Sequence, residues 1–361
     1  MTSIHGILNF VAMTLGYVLI IIGLALFTLL TCAAYAVYAE RRVCAFIQQR
    51  VGPNRVGPWG LLQPLADVVK LLLKEDIVPA AGDKLIHFLS PVISVTIALT
   101  AFAVIPFGSD GETIIAIANV NIGVLYILAL TSVAVYGITL AGWSSNSKYA
   151  LMGGLRSSAQ MISYELSMGL SVVSCVLLTN LLAKDSGEGY LSLVTIVNTQ
   201  AETGLWNAFI NPVGFLIFVT CAFAETNRTP FDLVEAEQEL VGGFHTEYSS
   251  MKFATFFLAE YLNVIIASMF ITTLFLGGFH GPLEKNVFHV AEWSGALQVL
   301  WSIGWFIAKT FFLVFVFIWV RWTLPRFKYN QLMSIGWKSF LPVAIFNLML
   351  VALAGYLIKI L

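Results

Sequence analysis

The sequence predicts an all-α, polytopic membrane protein with eight transmembrane helices and one short amphipathic interfacial helix. Three observations lead there. Of 361 residues, 58% are hydrophobic and only 11% charged, against about a quarter charged in a soluble domain. The apolar residues fall in long blocks, each long enough to cross roughly 30 Å of hydrocarbon. The segments between the blocks hold nearly all of the Lys and Arg.

Taken in order, the expected spans lie near 10–39, 86–106, 122–142, 159–182, 207–227, 253–277, 297–320 and 339–360, within a single membrane domain 1–361. The first run has no Lys or Arg before Arg41. It lacks the basic start of a cleaved signal peptide and reads as a retained span. The loops joining spans one and two, three and four, five and six, and seven and eight together carry fifteen basic residues. The remaining loops carry only Lys184 and Lys285. Positive charge stays on the cytoplasmic side, so both termini are expected to be periplasmic.

Two cytoplasmic loops stand out, 40–85 and 228–252. In the first, Val51–Gly60 repeats Val-Gly-Pro around Asn54 and Arg55, a composition that forbids regular helix. Residues near 61–75 follow, where Asp67, Lys70 and Lys74 form one polar stripe on an otherwise apolar helix. That helix is too short to span and suits the membrane interface. The second loop opens with Ala224–Glu239, AETNRTPFDLVEAEQE. It places Glu225, Asp232, Glu235, Glu237 and Glu239 directly at a membrane exit, where acids are costly.

Within or at the ends of spans stand Glu165, Glu225 and Glu260, with Lys309 in the seventh. Intramembrane ionisable groups face the bundle interior or a hydrated cavity, and a carboxylate there can accept and release protons. The same residues can instead form buried ion pairs that fix packing. Asp232 also fits position N3 of a helix opened by Thr229 and Pro230, which would make it partly a capping residue. Most of the arginines at the cytoplasmic ends are explained as topology determinants. Gly142–Arg156, GWSSNSKYALMGGLR, reads as a polar loop in which Gly153 and Gly154 permit close backbone approach.

The composition also excludes several function classes. A net charge of −1 gives no basic surface for nucleic acid. Cys32, Cys44, Cys175 and Cys221 are scattered without a CxxC pair, and the histidines sit near span ends. The spacing therefore argues against an iron–sulfur centre, a disulfide framework or bis-histidine haem. There is no Walker motif, no GxGxxG, no metal-ligand cluster and no nucleophile triad.

Four segments together carry a family resemblance: Glu40–Glu75, Gly142–Glu165, Ala224–Ser249 and Pro325–Pro342. On these the chain resembles the H-subunit family of bacterial respiratory complex I (NADH:quinone oxidoreductase), the counterpart of mitochondrial subunit 1. Val234 is a mild departure, since many members carry Pro or Ala there. The resemblance implies a multi-pass protein of the bacterial inner membrane, set among membrane lipid. Its partners would be the hydrophilic iron–sulfur arm and the antiporter-like membrane arm. It implies no redox cofactor in this chain, and ubiquinone or menaquinone as substrate. Arg41, Arg50, Arg55, Arg156, Arg228 and Asp232 would line the quinone chamber. Glu40, Glu165, Glu225, Glu235, Glu237, Glu239, Glu247 and Glu260 would couple quinone reduction to proton movement. Competing expectations are the equivalent component of a membrane-bound hydrogenase and a stand-alone proton-coupled transporter. The paired half-repeats common in transporters are not seen.

Overall fold

The computed structural model describes residues 2–111, 113–183, 189–233, 241–282 and 293–360. These residues are mostly helical. In chain order the helices are α1 (Thr2–Ile47), α2 (Gln63–Leu73), α3 (Lys84–Phe102), α4 (Gly123–Ser144), α5 (Lys148–Leu182) and α6 (Leu193–Thr203). They continue with α7 (Asn207–Ile210), α8 (Pro212–Glu225), α9 (Ser250–Phe275), α10 (Gly295–Thr323), α11 (Tyr329–Ser334) and α12 (Leu341–Ile360). A π-helical turn, Ile335–Phe340, joins α11 to α12 into one rod. A two-residue hairpin, β1 (Gly108–Ser109) with β2 (Ile114–Ile115), departs from the all-α expectation.

Seven of these rods are long and apolar enough to cross a membrane. The block expected as the fifth span, 207–227, differs. It is split by Asn211 and Pro212 into α7 and the 14-residue α8. At 1.5 Å per residue α8 reaches about 21 Å, short of the ~30 Å hydrocarbon layer. Asn211 caps α8 by accepting the Gly214 N–H, and Pro212 takes the first position, where no N–H is needed.

Three other expected boundaries move as well. α1 continues to Ile47, so Glu40, Arg41 and Arg42 are helical rather than part of a loop. α5 begins at Lys148, so most of the stretch expected as a polar loop before Arg156 is helix, and the turn shrinks to residues 145–147. The last rod begins at Tyr329, leaving only residues 324–328 between it and α10. In each case a helix projects beyond its apolar block, because backbone hydrogen bonding does not stop where hydropathy does.

α5 and α9 form the centre, with about half of their most apolar windows buried, against 11% for α1. α5 packs on α4, α8 and α12, while α9 packs on α3, α10, α1 and α2. The central face of α5 carries small polar residues, as expected where helices approach closely without a hydrophobic driving force between them. Ser171 donates to the Gly214 carbonyl at 2.6 Å, and Asn211 donates to Ser174 at 2.8 Å. Around this seam Phe218, Leu262, Ile271, Phe275 and Phe306 close the core.

The basic loops converge at one end of the bundle. Asp83 donates its backbone N–H to the Ser144 carbonyl, Ser250 bonds the Leu71 carbonyl, and Lys252 pairs with Asp76 at 2.9 Å. Thr229 bonds the Arg321 carbonyl, and Phe327 donates to the Pro230 carbonyl. In the 51–60 loop, a β-carbon at Gly60 would lie 2.2 Å from the Pro53 carbonyl oxygen, and the residue holds φ +80°. Only glycine fits that turn.

Glycines also set the α4–α5 hairpin. A β-carbon on Gly142 would meet the Ala150 carbonyl oxygen at 2.6 Å. Gly142→Ala is expected to lower stability by about 1–3 kcal/mol. Thermal unfolding of the purified protein in detergent would register this, and an unchanged midpoint would contradict the packing described.

Candidate functional site

The site is built from the end of α8. Asn227 adopts a left-handed φ of 51°, which ends the helix and turns the chain back under it. Gln160 on α5 holds this turn, donating to the Ala224 and Phe231 carbonyls at 2.8 Å each. The turn drives Arg228 into the bundle, where the residue is 3% exposed.

There the guanidinium joins two helices. Its Nη1 lies 3.2 Å from Oε2 of Glu40 on α1, and its Nε lies 2.8 Å from Oε1 of Glu260 on α9. The Tyr261 ring faces the guanidinium at 4.4 Å, adding a cation–π contact. The other Glu40 oxygen is held by Arg321 of α10 at 2.7 Å. Glu40 is thus clamped between two arginines while only 4% exposed.

Glu260 also faces a cavity of about 50 Å³, which it lines with Ser94, Glu225, Asn227, His245 and Asn263. By volume the cavity holds roughly three or four waters. Across it, Glu225 lies in electrostatic range of Glu165. Ser132 on α4 donates to Glu165. The carboxylates expected from sequence therefore form one succession, Glu165, Glu225, cavity, Glu260, Arg228 and Glu40.

The remaining expected residues lie elsewhere. Arg41 pairs with Asp67 of α2 at 2.6 Å. Arg50 donates to Gln48 and to the Cys44 sulfur. Arg55 is exposed in the 51–60 loop, and Arg156 lies over the Tyr329 ring at 5.9 Å. Of the six residues expected around a quinone, only Arg228 and Asp232 are buried. Glu247 is half-buried near the start of α9, and Glu235, Glu237 and Glu239 lie outside the described residues.

The capping role expected of Asp232 is corrected. Among the described residues no helix begins at Pro230, and Asp232 is non-helical, 2% exposed and paired with Arg326 at 3.1 Å. Burial beside a cation outweighs local capping preference. Lys309 lies outside that succession of carboxylates. Its ammonium donates to the carbonyls of Leu276, Gly278 and His280 at 2.6, 3.0 and 2.6 Å, which holds the chain just after α9.

Three residues of the site had no distinctive signal in the sequence. Arg321 reads as one more topology arginine, Gln160 as a polar residue in a span, and His245 as a loop histidine. The structure turns all three inward. His245 stands among Phe244, Phe253 and Phe257, and burial pulls its imidazole down to about 4.

Comparison with known proteins decides the family. The family model described as NADH dehydrogenase matches residues 19–352. The chain belongs to that family. Within it, the chain is 56% identical to the H subunit of NADH-quinone oxidoreductase from Salinibacter ruber, over 90% of this chain and 92% of that protein. It is 56% identical to NADH-quinone oxidoreductase subunit 8 of Rhodothermus marinus, over 90% and 93%. It is 49% identical to the first of the NADH-quinone oxidoreductase H subunits of Geobacter metallireducens, over 94% and 96%. The matched region of this NADH dehydrogenase family member includes the whole carboxylate succession.

Two outcomes test the geometry. Arg228→Leu leaves Glu260 without its arginine and Glu40 with only Arg321, and should cost about 3–5 kcal/mol. Adding Glu40→Gln and Glu260→Gln should recover part of that loss in thermal unfolding. The His245 imidazole is neutral in the fold, whereas an unfolded histidine binds a proton below about 6.5. Acidification from about 6.5 toward 4 should therefore lower stability, because the unfolded chain takes up the proton first. His245→Gln should flatten that part of the pH profile.

Proposed function

We propose that this chain is the membrane subunit of a proton-translocating NADH:quinone oxidoreductase, where it admits the quinone and couples its reduction to proton movement. The observation that carries the reading is the succession from buried Glu40 and Arg228 through Glu260 to the cavity, Glu225 and Glu165. Family membership supports it, since the relatives are named as subunits of that enzyme.

In this reading the chain crosses a bacterial inner membrane eight times, with α7 and α8 forming the short fifth span and both termini periplasmic. The basic end is cytoplasmic and docks the hydrophilic iron–sulfur arm, while the antiporter-like arm lies alongside in the bilayer. Helix α2 rests at the membrane interface as the lip of a quinone entry. Its support is physical: none of its residues is buried, its apolar face includes Leu65 and Leu73, and Arg41–Asp67 ties it to α1. Arg41, Arg50, Arg55 and Arg156 then border the path of ubiquinone or menaquinone.

Quinone reduction takes up two electrons and two protons at the head group. Electrons come from the partner arm, and this chain supplies no redox group. Negative charge on the reduced quinone at the basic end would attract Arg228 and Arg326 away from their carboxylates. A buried carboxylate that loses its cation becomes far easier to protonate. Charge at the quinone can thus pass as proton uptake from Asp232 and Glu40 to Glu260. From there, the cavity waters link Glu260 to Glu225, and Glu165 follows. Glu235, Glu237, Glu239 and Glu247 of the 228–252 loop would supply protons at the cytoplasmic end.

Glu225→Gln and Glu165→Gln should each lower quinone-coupled proton translocation by about an order of magnitude in proteoliposomes. NADH oxidation by an artificial acceptor should remain; translocation at the wild-type rate would reject the reading. A photoreactive quinone should label residues within 40–75 or 224–240, and labelling confined to the opposite face would reject the entry path.

A further inference from the structure

His245 lines the same cavity as Glu225 and Glu260, yet it belongs to the loop that follows the acidic segment rather than to a spanning helix. We propose that His245 is a proton-transfer residue linking that loop to the cavity waters; this rests on the coupling role proposed above. Three observations carry the inference. The imidazole is the one nitrogen base among the described side chains that line the cavity; the other polar lining groups are two carboxylates, two amides and Ser94. Its Nε2 turns back toward the start of the loop, since a β-carbon on Gly242 would meet it at 3.7 Å. The side chain therefore reaches both the cavity and the backbone just beyond the 235–239 acids.

The third observation is how firmly the ring is placed. Phe244, Phe253 and Phe257 meet it edge-on, with centroids 5.2, 5.4 and 6.2 Å away. The loop beneath is seated on α5. A β-carbon on Gly153 would lie 2.9 Å from both the Gly243 α-carbon and the Phe244 nitrogen. Both contacts are backbone, so the loop cannot give way locally. Gly153, one of the glycine pair that the sequence marks as a point of close approach, is what seats this loop, while Gly154 faces α4.

An imidazole can do here what a lone amide cannot. The ring nitrogen that carries no hydrogen takes a proton from a donor on the loop side, forming a new N–H bond. The N–H at the other nitrogen then breaks, and its proton passes to cavity water on the way to Glu260 or Glu225. No net charge is left on the ring, which ends as its other tautomer and resets by turning over within the cage. Its neutrality suits this work, because burial keeps the resting ring unprotonated.

The test uses the assembled enzyme in proteoliposomes, reading protons translocated per quinone reduced and the solvent deuterium isotope effect. His245→Ala should lower translocation severalfold, and added imidazole should restore it, whereas a solute of similar size without a basic nitrogen should not. His245→Gln, which keeps size and polarity but transfers no proton this way, should show the same loss with a larger isotope effect. Gly153→Ala, which displaces the loop, should reduce translocation without imidazole rescue. Wild-type translocation in His245→Gln overturns the proposal, as does loss in His245→Ala that imidazole leaves untouched. If Glu225→Gln abolishes translocation while His245→Gln does not, the imidazole step fails and the coupling role stands. If Glu225→Gln also translocates normally, the coupling role itself fails.

Discussion

A single guanidinium buried between two carboxylates is the constraint on which the rest depends. Arg228 meets Glu40 on α1 and Glu260 on α9, and Arg321 on α10 completes the set. Taking such charges out of water costs several kcal/mol each, which their mutual attraction offsets only with good geometry. Three helices and the turn after α8 must therefore sit where they do. The pairing also makes the charges conditional: removing a cation from either carboxylate changes its affinity for a proton at once. Stability and the proposed coupling rest on the same contacts.

The small polar seam serves that constraint. Close approach of α5 and α8 through Ser171, Ser174, Asn211 and Gly214 fixes where α8 starts. Gln160 on the same helix then binds the carbonyls on either side of the turn. A buried chain reversal would otherwise leave backbone groups without partners, at a cost of several kcal/mol each. Lys309 does the equivalent task for the chain after α9, through three carbonyls. An intramembrane charge can thus be structural or chemical according to what it faces. Lys309 faces backbone carbonyls and the Trp206 ring, whereas Glu260 faces a second charge and a cavity.

Much of the candidate site was legible before folding because its members are costly residue types in an apolar setting. Glu165, Glu225 and Glu260 announce themselves by that cost, and Glu40 and Arg228 by their position at span ends. Arg321, Gln160 and His245 did not, since nothing local separates them from residues that serve topology or packing. Asp232 was read as a cap because Thr229 and Pro230 form a good helix start. Arg326, which pairs with it, lies 94 positions away and exerts no local signal. The 207–227 block shows the same limit, since hydropathy sees its length but not the break that Asn211 and Pro212 impose.

By itself, then, the sequence determined a bundle of apolar rods, the end at which basic charge collects, and a set of acids that need a reason to be there. These follow from transfer energies that each segment carries alone, whatever its neighbours. Only the tertiary structure decided which acid meets which arginine, that Glu225 and Glu260 line one cavity, and that a loop histidine lines it with them. Those outcomes depend on distances between helices, set by glycine and serine contacts far apart in the chain. No local pattern encodes them.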